Sequence, residues 1–160
     1  MRALGIDPGI GRCGFGVVEK NQNHIIPVDF GVIETSKEQD SLERLNIVYE
    51  GVAELIETYR PQFIGVETLY FNTGISVAQA RGVILLAGYR QGLPVIDVTP
   101  LQVKQQIAGY GRAKKMQVIE MIMKIMKITK KISPDDAADA LAVGLTAIYY
   151  MEHKKMYRSL

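Results

Sequence analysis

Four acidic residues in this 160-residue chain stand where acids are costly: Asp7, Glu67, Asp136 and Asp139. Asp7 and Glu67 each close a short apolar run, Leu4-Gly5-Ile6-Asp7 and Phe63-Ile64-Gly65-Val66-Glu67. A carboxylate there loses water unless something compensates. Asp136 and Asp139 lie three apart in Pro134-Asp135-Asp136-Ala137-Ala138-Asp139-Ala140-Leu141, a spacing that puts both on one face of a helix. The helix dipole accounts for Asp135 and Asp136 at the start, but Asp139 sits about a turn deeper among alanines, where aspartate is a poor helix former and repels its neighbour. Brought together, the four carboxylates would repel strongly without cations between them. Hard oxygen donors with no soft ligands favour Mg²⁺ or Mn²⁺. Such a site suits phosphodiester hydrolysis, one ion lowering the pKa of the attacking water and a second stabilising the leaving 3′-oxygen.

Other chemistries lack material. His24 and His153 are the only histidines, too few for a histidine-based triad or zinc site. The single cysteine, Cys13, excludes an internal disulfide and points to a reducing compartment, with the cytoplasm as the expected location. No run is long and apolar enough to span a membrane, and the N-terminus meets Asp7 before any signal-peptide core develops. Gly9-Ile10-Gly11-Arg12-Cys13-Gly14 matches G-x-G-x-x-G, yet Phe15-Gly16-Val17-Val18 follows as a strand rather than the helix that would bind a pyrophosphate. These glycines are expected to shape a hairpin near Asp7 and leave room for a bulky ligand.

The elements that must position the acids follow from periodicity. With 48% apolar and 22% charged residues, the chain is expected to form one domain over 1–160, with a short tail after about 151. Strands are predicted at 2–7, 15–18 and 25–35, opening the fold as an antiparallel meander. A helix over 41–59 with Ser41 as N-cap, a strand at 63–67, a helix over 76–90 and a strand at 94–98 follow. Helices over 114–128 and from Pro134 through Ile148 complete the chain. Strands first in a meander, then alternating with helices, predict an α/β fold: a mixed five-stranded sheet, three antiparallel strands then parallel ones, flanked by helices.

Charge is unevenly distributed. The formal net charge is +2, but Lys104 to Lys131 holds eight basic residues and one acid, a local +7 against −5 elsewhere. This segment is either a solvated helix face or a phosphate-contacting patch, depending on whether an anion-handling site lies beside it.

Leu4-Gly5-Ile6-Asp7-Pro8-Gly9, Val66-Glu67, Gln79-Ala80-Arg81-Gly82-Val83, Gln102-Val103-Lys104-Gln105 and Asp136-Ala137-Ala138-Asp139-Ala140-Leu141-Ala142, in this order and spacing, make the chain similar over nearly its full length to the RuvC crossover junction endodeoxyribonucleases. These are Holliday junction resolvases with an RNase H-like fold. The resemblance implies that Asp7, Glu67, Asp136 and Asp139 are the catalytic and metal-binding acids, with about two Mg²⁺ per site and Mn²⁺ as a substitute. It also implies a homodimer that nicks two opposed strands of four-way junction DNA in recombination and repair, leaving 5′-phosphate and 3′-hydroxyl ends, with RuvA and RuvB as branch-migration partners. Lys104 and Lys115 align with family lysines implicated in DNA handling and catalysis, and segment 76–90 with the dimer contact. Tyr70-Phe71 falls where the family places an aromatic that stacks on a junction base. Arg81, Arg112, Lys114 and Lys115 are candidate phosphate contacts. Three alternatives stand beside this: a YqgF-like RNase H-fold nuclease acting on RNA, a catalytically inactive junction-binding protein, and an actin-like or sugar-kinase ATP-binding half, which would need a second half that 160 residues cannot hold.

Overall fold

The computed structural model describes residues 1–22, 24–68 and 74–158, with side chains described to Lys154. Ten elements run in the order β1 (Arg2–Asp7), β2 (Arg12–Asn21), β3 (His24–Glu34), α1 (Ser41–Tyr59), β4 (Phe63–Glu67), α2 (Ile75–Arg90), β5 (Val95–Val98), α3 (Pro100–Ala108), α4 (Lys115–Ile125) and α5 (Asp135–Arg158). The sheet order is β3-β2-β1-β4-β5, with β1 antiparallel to β2 and β2 to β3, while β1–β4 and β4–β5 are parallel. This is the mixed five-stranded sheet expected from the pattern.

Strand alternation divides the interior in two. From β1, Leu4 and Ile6 face Val48, Val52 and Ile56 of α1 and Ile84 and Ala87 of α2. Ala3 instead joins the opposite core with Ala137, Ala138, Leu141, Leu145 and Ile148 of α5 and Val103, Ile107, Val118 and Ile122 of α3 and α4. The helices therefore cover both faces, as burial of an apolar stripe on each requires.

Helix α5 lies unusually close to the sheet because glycines clear its path. A Cβ on Gly5 would stand 2.1 Å from the Ala140 carbonyl oxygen, and one on Gly14 would stand 2.2 Å from that of Asp136. A Cβ on Gly16 would meet the Leu141 nitrogen at 2.7 Å. The glycines do shape a hairpin beside Asp7, with Gly9 and Gly11 in the connection between β1 and β2, but at Gly14 the space expected for a bulky ligand is filled by the protein's own helix.

Other boundaries shift for identifiable reasons. Asp40, not Ser41, caps α1, its carboxylate accepting from the Leu42 and Glu43 amides at 2.8 and 2.9 Å. Helix α3 had no counterpart in the sequence reading, although Thr99-Pro100-Leu101-Gln102 forms a capping box. Helix α4 stops at Ile125, with Lys127 left-handed at φ 55°, and α5 continues as helix past the expected tail to Arg158. Among the described residues no helix is long and apolar enough to cross a membrane.

Candidate active site

The strand register brings the first two acids together. Parallel pairing of Ile6 with Val66 sets Asp7 and Glu67 at the same end of adjacent central strands, and Asp7 also stands opposite Gly14 on β2. The backbone of Asp136 rests against Gly14, so the first turn of α5 crosses directly beside Asp7. Spacing of three then turns Asp139 to the same cluster. The sheet register and three missing side chains, at Gly5, Gly14 and Gly16, assemble the four carboxylates.

Electrostatics show how closely they are coupled. Burial, then Glu67, Asp139 and Asp136 in turn, push the Asp7 carboxyl from an ordinary 3.8 up to about 8, against a smaller opposing pull from Lys115. Burial and Asp139 raise Glu67, which accepts a hydrogen bond from the Asp7 carboxyl. Burial also raises Asp139, opposed by Lys115. One oxygen of Asp136, Oδ2, is buried without a hydrogen-bond partner among the described residues, and Arg12 Nε lies 3.7 Å away.

This donor set fits a divalent cation: all candidate ligand atoms are hard oxygens, one carboxylate oxygen has no partner among the described residues, and the accumulated negative charge is relieved by protonation or by positive neighbours. Among the described residues the acids are neighbours rather than a closed shell, with no three gathered as ready ligands of one ion. Positive charge comes instead from Lys115, whose Nζ lies 2.6 Å from both Asp139 Oδ2 and Asp135 Oδ2.

A cleft of about 180 Å³ opens beside the acids, lined by Glu67, Pro100, Val103, Lys104, Lys115, Val118 and Asp139. Lys104 reaches it from the missed helix α3, and Lys115 from the first residue of α4. Arg112 and Lys114 are exposed on the segment between those helices. Arg81, expected to meet phosphate, is turned inward. Its Nε donates to the Glu67 carbonyl at 3.3 Å, its Nη2 is paired with Asp97, and only 20% of its side chain is exposed. It ties α2 to the ends of β4 and β5 beside Glu67. Tyr70 and Phe71 lie outside the described residues. Arg12 was not singled out from the sequence because it sat within a glycine cluster read for backbone shape. It stands at the edge of the site on Asp136.

A mixed sheet in this order, with carboxylates at the ends of its first and fourth strands and on the closing helix, defines an RNase H-like nuclease fold. The sequence profile of the crossover junction endodeoxyribonuclease RuvC matches residues 3–147. The crossover junction endodeoxyribonuclease RuvC of Petrotoga mobilis is 49% identical over 148 residues, 90% of this chain and 91% of its own. That of Fusobacterium nucleatum is 45% identical over 152 residues, 92% of this chain and 80% of its own. Thermus thermophilus RuvC, solved in complex with Holliday junction substrate, superposes with a TM-score of 0.90 at 34% identity, covering 96% of each chain. The chain belongs to the RuvC family of crossover junction endodeoxyribonucleases, which are metal-dependent nucleases.

Proposed function

We propose that this chain cuts four-way DNA junctions by hydrolysing phosphodiesters at Asp7, Glu67, Asp136 and Asp139, with Mg²⁺ as the working ion, about two per site, and Mn²⁺ as a substitute. The observation that carries this is the coupling of the four acids, strong enough to hold Asp7 protonated to about pH 8 when no divalent cation neutralises them. When bound, the ions supply Lewis-acid activation of water and charge neutralisation at the departing 3′-oxygen.

The chain's own residues do the rest. Asp7 and Glu67, on rigid central strands, hold their carboxylates in fixed relation, and α5 brings Asp136 and Asp139 against them. Lys104 and Lys115 present ammonium groups to the cleft, where a phosphate would meet positive charge beside the acids. Exposed Arg112 and Lys114 extend that charge along the approach, so the +7 segment is read as a phosphate-contacting patch. Arg81 is set back from this surface, with two of its guanidinium nitrogens, Nε and Nη2, engaged by the Glu67 carbonyl and Asp97. Tyr70-Phe71 keeps the base-stacking role that the family resemblance suggests.

Paired cuts in opposed strands call for two sites, and α2 supports a homodimer. Ile75, Leu86 and Tyr89 are 81%, 48% and 80% exposed on it. Gly82 shares their face, and a Cβ there would meet nothing described within 4 Å. An apolar stripe centred on a glycine suits close packing against a second copy. RuvA and RuvB are the branch-migration partners this reading implies, and cleavage belongs to recombination and repair. The family match disfavours the RNA-directed and non-catalytic alternatives.

The test incubates the purified protein with a mobile synthetic junction and a plain duplex, with and without Mg²⁺, and with ATP. Paired, Mg²⁺-dependent nicks confined to the junction, with 5′-phosphate ends and no ATP turnover, are expected. Equal cutting of duplex and junction would sink the reading.

A further inference from the structure

Lys115 begins α4 and Asp135 begins α5, and their contact joins two helix N-termini at the mouth of the cleft. The same ammonium, Lys115 Nζ, lies 2.6 Å from Asp135 Oδ2 and 2.6 Å from Asp139 Oδ2. The two acceptors are not equivalent. Asp139 lines the cleft and its side chain is 26% exposed, whereas Asp135 stands outside the cleft lining at 56%. Complementing the helix dipole explains an acid at position 135, but not why this acid shares an ammonium with a candidate metal ligand.

We propose that Asp135 is a positioning residue for Lys115. The inference rests on the reading of Lys115 and Asp139 as parts of the catalytic site. Lysine is a point charge on a flexible four-carbon stem, so its placement depends on what anchors the ammonium. With Asp139 as sole anchor, Lys115 and a divalent cation would contend for one carboxylate. A cation on Asp139 would then weaken its hold on the ammonium, and the ammonium would weaken its hold on the cation. Asp135 eases that conflict: it stands outside the cleft lining, although its charge reaches Asp139, and it keeps Nζ at the cleft mouth when Asp139 is engaged elsewhere.

The test compares the wild type with Asp135→Asn, Asp135→Glu, Lys115→Ala and the Asp135→Asn/Lys115→Ala double variant, using two readouts. One is single-turnover cleavage of a synthetic four-way junction; the other is Mg²⁺ binding to the DNA-free protein by calorimetry. Because both partners are about half exposed, the effect is modest. Asp135→Asn is expected to slow cleavage about fourfold at saturating junction, leave the junction concentration for half-maximal rate unchanged, and weaken Mg²⁺ binding about threefold. Asp135→Glu restores both. In the Lys115→Ala background, Asp135→Asn changes neither residual cleavage nor Mg²⁺ binding. If Asp135→Asn weakens Mg²⁺ binding equally in both backgrounds, Asp135 acts as background charge and the proposal falls. It also falls if Asp135→Asn matches the wild type while Lys115→Ala loses cleavage, an outcome that leaves the reading of the site intact. Full cleavage by Lys115→Ala would overturn the role of Lys115 itself, and this inference with it.

Discussion

Replacing Asp7 by asparagine should stabilise the metal-free protein while abolishing its chemistry. The folded protein holds the Asp7 proton to about pH 8, whereas the unfolded chain releases it near 3.8. Between those values the unfolded state sheds its proton first, so stability falls as pH rises through this window. A shift of that size corresponds to a ceiling of about 5 kcal/mol at pH 8, at about 1.4 kcal/mol per pH unit. Water entry and side-chain relaxation return part of it, leaving about 3 kcal/mol. Asparagine keeps the shape without the charge, so Asp7→Asn should melt roughly 6–12 °C above the wild type at pH 8 without divalent cations. The two should converge near pH 4. Mg²⁺ at tenfold its dissociation constant would stabilise the wild type by about 1.4 kcal/mol and the variant by less. Thermal denaturation at both pH values, with and without Mg²⁺, reads all of this, and a junction-binding assay should show binding retained with cleavage lost. A variant melting within about 2 °C of the wild type at pH 8, or gaining equally from Mg²⁺, would refute a clustered, charge-strained site.

Three further perturbations separate scaffold, DNA surface and assembly. Gly14→Ala puts a Cβ 2.2 Å from the Asp136 carbonyl oxygen, a backbone atom that cannot swing aside, and should cost about 2–3 kcal/mol in urea denaturation and impair cleavage; an unchanged midpoint would mean that α5 does not need the gap. Arg112→Ala with Lys114→Ala should leave stability within about 0.5 kcal/mol. The salt dependence of junction binding should flatten by up to about two phosphate contacts, measured as the slope of log affinity against log salt. Leu86→Asp, on the exposed face of α2, should convert a dimer to a monomer in sedimentation and replace paired cuts with single nicks.

Much of the candidate site was legible because its signals are local. Asp7 and Glu67 ending apolar runs, and Asp139 breaking the helical pattern among alanines, are conflicts between residue type and position that a linear reading detects. The strands and most helices were legible for the same reason, since periods of two and of three to four are written in neighbouring residues. Helix α3 was missed because its nine residues carry only two buried apolar positions, Val103 and Ile107, too short a stripe for periodicity; its capping box was the available signal. Asp135 was explained by its place at a helix start, and Arg81 by its sign. In both cases the decisive fact was a partner far along the chain: Lys115 in one, Asp97 and the Glu67 carbonyl in the other.

Residue order alone determined that four acids existed at costly positions, that hard cations would suit them, and that a sheet flanked by helices would carry them. What tertiary structure decided was which groups share space. Gly14 is ambiguous in sequence between a ligand-accommodating turn and a close-packing contact; the approach of α5 resolves it for packing, because a backbone oxygen occupies the space a side chain would need. Likewise the charge of Lys115 or Arg81 is a property of the residue, but whether it meets phosphate, a carboxylate or a carbonyl depends on separations of a few ångströms. Coulomb and hydrogen-bond energies fall steeply over that range.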